Sequence, residues 1–217
     1  MQPPEYLVYG LPSSIQDFVS HPMSPSSTNQ PRSLVQEAQI RVGLALRPGD
    51  WACDATVGNG HDTCFLARCV GAEGRVWGFD CQAEAIAATR LRLETKGAHP
   101  QVTLAQANHA EMLRWLPPEA PGRFGAVMFN LGYLPGGDKA VVTTRKNTVL
   151  ALAQAWELLR PQGLLSVLCY RGHPGGVEEW EAVRAWAEGL PPATTREWVR
   201  ANSPMPHTPQ LGIFQHD

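Results

Sequence analysis

The chain lacks any apolar run close to the roughly 20 residues that a membrane-spanning helix needs, so a membrane-spanning helix is set aside. Its opening stretch, MQPPEYLVYGLPSS, has neither the basic start nor the continuous apolar segment of a secretory signal. Cysteine is sparse: Cys53, Cys64, Cys69, Cys81 and Cys169 form no C-x-x-C pair. An odd number of thiols in mostly apolar surroundings points to reduced core residues in a cytoplasmic protein and not to a redox or metal role. Charge is low as well, with 18% charged residues and a net charge of -2. That counts against nonspecific binding of long nucleic-acid duplexes, but does not exclude a local patch gripping a few phosphates. The histidines show no ligand spacing with acids or cysteines, so no metal is expected. No internal repeat is visible, and a homodimer stays open.

What is present suits one domain: 217 residues, 43% of them hydrophobic, enough to bury a sizeable core. Residues 1–32 read as a lead-in, with the Pro/Ser-rich HPMSPSSTNQP extended or disordered and EYLVYGL either a short strand or a docking arm. The domain is expected over 33–217. Leu34, Val35, Ala38, Ile40, Val42 and Leu44 predict a helix that stops at Arg47-Pro48-Gly49-Asp50. Strands are predicted at 51–56, 75–80, 101–107, 124–130 and 164–170. Between them fall helices at 61–70, 83–96, 110–115, 143–160 and 176–189. Two late strands, near TREWVRAN and QLGIFQ, have no helix between them and suggest an edge hairpin. Strand-helix alternation predicts a doubly wound, mostly parallel α/β sheet with that antiparallel hairpin at one edge.

The most informative stretch is Asp54-Ala55-Thr56-Val57-Gly58-Asn59-Gly60-His61-Asp62-Thr63, which follows a strand and opens a helix. Gly58 and Gly60 allow a tight turn and a close approach of backbone to ligand. Thr63 stands where a dinucleotide fingerprint has its third glycine. Asp54 would repel a pyrophosphate but suits a ligand with an ammonium group. S-adenosylmethionine has that group, a sulfonium and no phosphate. Asp80 ends the second strand, where a carboxylate accepts from both ribose hydroxyls of an adenosine. Asn108 and His109 end the third, where an amide can face the adenine edge. Either acid alone would be read as a helix cap; both, with the glycine loop, favour a cofactor site.

The fourth strand runs into Asn130-Leu131-Gly132-Tyr133-Leu134-Pro135-Gly136-Gly137-Asp138-Lys139. This resembles the Asn-Pro-Pro-Tyr motif of amino-group methyltransferases, with Leu131 and Gly132 in place of the prolines. An amine must aim its lone pair at the methyl carbon, in line with the departing sulfur. The Asn130 side-chain oxygen and the Leu131 carbonyl are candidates to accept the amine's hydrogens, and Tyr133 to stack on a planar base. A proton must also leave, for which Asp138, Tyr133 and His173 are candidates. The fifth strand ends in Tyr170-Arg171-Gly172-His173-Pro174-Gly175-Gly176, on the same rim. With Lys139, Arg145, Lys146 and Arg171 it would make a small basic mouth for phosphates.

The segments DATVGNGHDTCFLA, GFDCQ, FNLGYLPGGDK and YRGHPGG, in this order over residues 33–216, resemble the small bacterial and plant methyltransferases labelled rRNA methylases. The resemblance implies a seven-stranded Rossmann-like methyltransferase sheet and S-adenosylmethionine as cofactor. It also implies methylation of the aminomethyl nitrogen of 5-aminomethyl-2-thiouridine at the tRNA wobble position, with the anticodon loop as partner. Asp54, Thr56, Gly58, Asn59, Gly60, Asp62, Thr63, Asp80, Gln82, Asn108 and His109 would face the cofactor. Asn130, Tyr133 and Asp138 would be catalytic. Leu131, Gly132, Pro135, Gly136, Gly137, Lys139, Arg145, Tyr170 and His173 would meet the substrate. Ala107 departs from the family, which usually has an acid there.

Three rivals stay open at this point. One is amine methylation of rRNA, a protein amide or a small metabolite. Another is a nicotinamide-dependent dehydrogenase, disfavoured by Thr63 and Asp54. The last is a non-catalytic binding module on the same fold.

Overall fold

The computed structural model describes residues 32–97, 99, 101–134, 136, 142–201 and 207–216. Almost the whole expected lead-in, and Pro135, Gly137, Asp138 and Lys139 of the predicted acceptor loop, lie outside the described residues.

Helix α1 (Leu34–Ala45) starts in a capping box: the Ser33 hydroxyl accepts from the Gln36 N–H while the Gln36 side chain accepts from the Ser33 N–H. It turns Leu34, Ala38 and Val42 inward. There follow β1 (Trp51–Asp54), α2 (His61–Val70), β2 (Arg75–Asp80), α3 (Ala83–Thr95), β3 (Val102–Gln106) and a 3₁₀ helix (His109–Trp115). The chain continues through β4 (Phe124–Leu131), α4 (Arg145–Leu158), β5 (Leu159–Cys169), α5 (Gly176–Glu188), β6 (Thr195–Arg200) and β7 (Gln210–Gln215). The seven strands form one sheet in the order β3-β2-β1-β4-β5-β7-β6. β1 to β5 pair in parallel; β7 is antiparallel to both β5 and β6. The expected doubly wound sheet with its hairpin is therefore present, and β7, the second strand of the hairpin, lies on the inner side.

Alternation along the strands sends side chains into two cores. Cys53, Val127 and Phe129 join α4, α5 and the 3₁₀ helix on one face. Ala52, Ala126 and Met128 meet α1 and α2 on the other. Trp51, Trp77 and Phe124 pack at ring-centroid distances of 4.9 to 5.9 Å at the amino end of the sheet. The opposite end, where β1, β2 and β4 release their loops, is left for a ligand.

One boundary differs from the sequence pattern. The helix expected to run to 160 stops at Leu158, and β5 begins at Leu159, through Pro161-Gln162-Gly163 instead of after it. Phe124 pairs with Leu159 and Ala126 with Leu164, so the extra residues form a bulge. Gln162 adopts φ 61 there, and its N–H donates to the His216 carbonyl across 2.7 Å. A Cβ on Gly163 would come within 2.8 Å of two backbone oxygens, which fixes glycine at that position. The turn signal was real, but the sheet absorbs it.

Candidate active site

The glycine loop after β1 is held from beneath. Asp54 is fully buried. Its Oδ2 accepts from the Thr63 hydroxyl at 2.6 Å and its Oδ1 from the Thr56 N–H at 3.2 Å. Burial pushes the Asp54 carboxyl up to about 7, the nearby Asp62 charge adds to that, and the two hydrogen bonds pull it back. The expected ammonium partner thus sits under the loop and does not line the cavity; Thr63 is spent on holding it.

Asp80 does line the cavity. Its carboxylate accepts from the Gly58 N–H at 3.0 Å and the Gln82 N–H at 2.9 Å, which ties the glycine loop to the start of α3. A carboxylate has lone pairs to spare after two such bonds, so two ligand hydroxyls can still donate to it. The Thr89 hydroxyl holds the Gly58 carbonyl, and Arg92 the Asn59 carbonyl. Gly60 caps α2 at φ 76, with a would-be Cβ 2.6 Å from Thr89 Oγ1. Only glycine allows that turn to pack against α3.

Above the loop lies a cavity of about 720 Å³, the scale of a nucleoside-sized ligand. Its walls include Thr56, Gly58, Asn59, Asp62, Asp80 and Gln82 from the first two strand ends. Asn108 and His109 close one side. Asn108 also caps the 3₁₀ helix, its Oδ1 accepting from the Ala110 N–H at 2.9 Å, so its amide donors are what it can offer a ligand. His109 is buried, and burial lowers its imidazole to about 4 against the opposing pull of the Ala55 carbonyl. The ring is therefore neutral. With Nδ1 set 3.3 Å from the Ala55 oxygen, the hydrogen-bond network assigns the proton to Nδ1 and leaves Nε2 a buried acceptor with no partner among the described residues.

The acceptor side rests on Asn130. Its backbone N–H donates to the Thr56 hydroxyl at 2.7 Å, and its side-chain Nδ2 to Asp62 Oδ2 at 2.6 Å. Asp62, itself buried, accepts at its other oxygen from Gln39 Nε2 at 2.6 Å. The amide is pinned by its nitrogen, which leaves its oxygen as the acceptor for a ligand. Gly132, Tyr133, Tyr170 and His173 stand around the same space. Tyr133 is 43% exposed, and its ring meets His173 edge-on. Burial raises the Tyr170 phenol above its ordinary value, with Asp62 adding to it.

Several predicted residues sit elsewhere. Leu131 is fully buried, and its carbonyl, expected to face the acceptor, accepts from the Tyr170 N–H at 3.0 Å. Arg145 is exposed at the start of α4, outside the cavity wall; Thr143, Thr144 and Asn147 stand in the wall instead. Gly136 is exposed and away from the wall. Gly60 shapes the loop without lining the cavity. Sequence reasoning missed Val35 and Gln39 of α1, and His207 and Pro209 ahead of β7, which carry no local motif. It also missed Glu179. This buried carboxylate on α5 accepts from the hydroxyls of Thr143 and Thr148, and the Thr143 N–H reaches the Gly132 carbonyl at 3.0 Å.

A family model described as "Putative rRNA methylase" matches residues 76–214. The chain is 38% identical over 191 residues to "tRNA (mnm(5)s(2)U34)-methyltransferase, chloroplastic" of Arabidopsis thaliana, an alignment spanning 84% of this chain and 68% of that protein. Among solved structures it resembles a "putative rRNA-methylase" from Clostridium thermocellum, with a TM-score of 0.79 and 36% identity over 87% of this chain and 99% of that one. It also resembles a "putative methyltransferase" from Streptococcus mutans in complex with SAH. That match has a TM-score of 0.75 and 27% identity over 86% of this chain and 99% of that one.

Proposed function

From the premise that this chain belongs to the Putative rRNA methylase family, we propose that it methylates the aminomethyl nitrogen of 5-aminomethyl-2-thiouridine at the tRNA wobble position. The chain is an S-adenosylmethionine-dependent methyltransferase. That cofactor supplies a methyl group on a cationic sulfur, which leaves as a neutral thioether.

The cavity chemistry fits the cofactor. Asp80 offers lone pairs for two ribose hydroxyls, Gly58 at φ 51 lets the loop backbone come close, and the orphaned His109 Nε2 can accept from an adenine amino group. The amino-acid end is read toward Asp62, the buried carboxylate that lines the wall, with Asp54 holding the loop beneath it.

The observation that carries the nitrogen acceptor is the pinned amide of Asn130. With Nδ2 given to Asp62, Oδ1 is fixed as a hydrogen-bond acceptor, the polarity that an amine donor needs. The plant relative's name supports a wobble-uridine substrate. A wobble base reaches such a cavity by leaving the anticodon stack, as single-stranded loops permit, and Tyr133 or Tyr170 can receive its face. The partner is then the anticodon loop, and residues 33–217 are the catalytic domain.

The test is methyl transfer from labelled S-adenosylmethionine to two matched tRNAs, read by nucleoside mass spectrometry. One carries 5-aminomethyl-2-thiouridine; the other is an unmodified transcript. Product on the first alone, lost in Asn130→Ala, is the expected result. Failure on both, with cofactor still bound, discards the acceptor and keeps the methyltransferase.

A further inference from the structure

An amine acceptor arrives as an ammonium, by analogy with lysine, with a pKa of about 9 to 10. It has no lone pair until a proton has left. We infer that His173 is the catalytic residue that takes that proton, through Nε2. This rests on the amine acceptor argued above.

The assignment comes from what each neighbouring group is already doing. Asp62 has one oxygen given to Gln39 and the other to Asn130. Asp80 holds two backbone N–H groups on the cofactor side of the cavity. His109 is depressed to about 4, too weak a base for an ammonium, and lies beside Asn108. The Tyr170 phenol is raised and keeps its proton at neutral pH. His61 and His207 are exposed to solvent.

His173 differs from all of these. It is 9% exposed, lies in the cavity wall, and packs edge-on against Tyr133 of the acceptor loop. Its Nδ1 is 3.0 Å from the Pro174 carbonyl oxygen. A carbonyl only accepts, so Nδ1 carries the hydrogen and the Nε2 lone pair is left for a ligand. Nε2 is buried, with no hydrogen-bond partner among the described residues. It lies 3.8 Å from where a Cβ on Gly132 would stand, which sets it against the loop that Asn130 opens. Gly176 closes in from α5, where a Cβ would be 3.0 Å from the same nitrogen. Among the described residues, the charged and titratable groups facing it from the adjoining elements are Tyr133, Tyr170, Arg171 and Glu179. The Glu179 carboxylate is occupied by Thr143 and Thr148, and Arg171 lies over the Trp180 ring.

In the step itself, one N–H bond of the ammonium breaks and its electron pair stays on nitrogen. The proton forms a bond to Nε2, giving an imidazolium. The nitrogen pair then makes the N–CH₃ bond while the carbon–sulfur bond breaks with its pair returning to sulfur. The product is a protonated secondary amine, and the imidazolium gives its proton to water.

The experiment compares the full chain with His173→Gln in single-turnover methyl transfer to tRNA carrying 5-aminomethyl-2-thiouridine, from pH 6 to 10. At neutral pH the variant is expected to lose ~10²–10³-fold in rate and to approach the wild type as the amine deprotonates on its own. S-adenosylhomocysteine affinity is expected to stay within about twofold. A wild-type rate profile parallel to that of the variant overturns the base alone. No wild-type turnover at any pH overturns the amine acceptor, and the base with it. Nitrogen-15 NMR of the wild-type imidazoles, with S-adenosylhomocysteine bound, reads the ring without relying on the variant's folding. A His173 tautomer with its hydrogen on Nε2 overturns the proposal; hydrogen on Nδ1 supports it.

Discussion

Asn130 Nδ2 and Asp62 Oδ2 are 2.6 Å apart, joining the end of β4 to the first turn of α2. An amide can flip end for end at little cost when nothing distinguishes its oxygen from its nitrogen. A carboxylate accepts and never donates, so Asp62 decides which end points to the ligand.

Asp62→Asn removes that decision. Methyl transfer is expected to fall roughly 10²-fold through misorientation, with the fold intact. Gln39→Leu, which strips the other oxygen of Asp62, should give a smaller loss in the same direction. Kinetics at saturating cofactor, beside calorimetric S-adenosylhomocysteine affinity, separate orientation from binding. A pure affinity loss with unchanged turnover would contradict the orienting role.

Asp54 makes stability depend on pH. Its carboxyl moves from an ordinary 3.8 to about 7 in the fold. A raised acid contributes stability that is complete below the unfolded value and lost as pH rises through the folded one. His109, lowered from 6.5 to about 4, works the other way and costs stability as pH falls between those values. The two offset each other in mild acid, so the Asp54 loss is expected to emerge above about pH 6.5. Asp54→Asn should flatten thermal melts between pH 6.5 and 8. An unchanged slope in the variant would remove Asp54 as the cause. A cation bound nearby also favours the carboxylate, so cofactor binding near neutrality should release protons, seen by calorimetry in two buffers.

Two glycines at positive φ make a controlled pair. Gly49 has φ +88 with nothing within 4 Å of an added Cβ, whereas Gly60 has φ +76 and meets Thr89 at 2.6 Å. Gly49→Ala carries only backbone strain, about 1 kcal/mol. Gly60→Ala adds a clash and is expected to cost roughly 2–4 kcal/mol, with weakened cofactor binding because the loop must shift. Denaturant melts of both variants check this. Equal costs would mean that α3 yields freely to the loop.

Glu179→Ala is expected to lower stability by roughly 1–3 kcal/mol, because the Thr148 hydroxyl is left buried without a partner. Through Thr143 and Gly132 it should also loosen the acceptor loop. The expected kinetic sign is a lower rate with tRNA and unchanged S-adenosylhomocysteine affinity. Equal losses in both would assign Glu179 to general stability.

The alternation of strands and helices was legible because Gly and Pro punctuate it, and because β1 and β4 are apolar up to the polar residue near each carboxyl end, Asp54 and Asn130. The α4–β5 junction was not: Pro161-Gln162-Gly163 carries a turn signal whether the turn lies between elements or, as here, within a strand. The two acids at strand ends look alike in sequence. Only packing tells them apart, since Asp54 is covered by the loop it supports while Asp80 looks into the cavity. Gln39 was invisible for a different reason. Its partner Asp62 is 23 residues away, and no local pattern marks one polar residue of α1 as meeting the site.

The position of β7 between β5 and β6 bears on how the protein is made. Residues 210–215 are synthesised after every other strand, yet they occupy an interior slot. Until they leave the ribosome, β5 offers an open, apolar edge and β6 has nothing to pair with. The first five strands can assemble during translation, but the sheet closes only once this segment arrives. A nascent chain stalled just before Gln210 should therefore bind chaperones and be easily cut by protease, while one extended past Gln215 by a tunnel-length linker should resist.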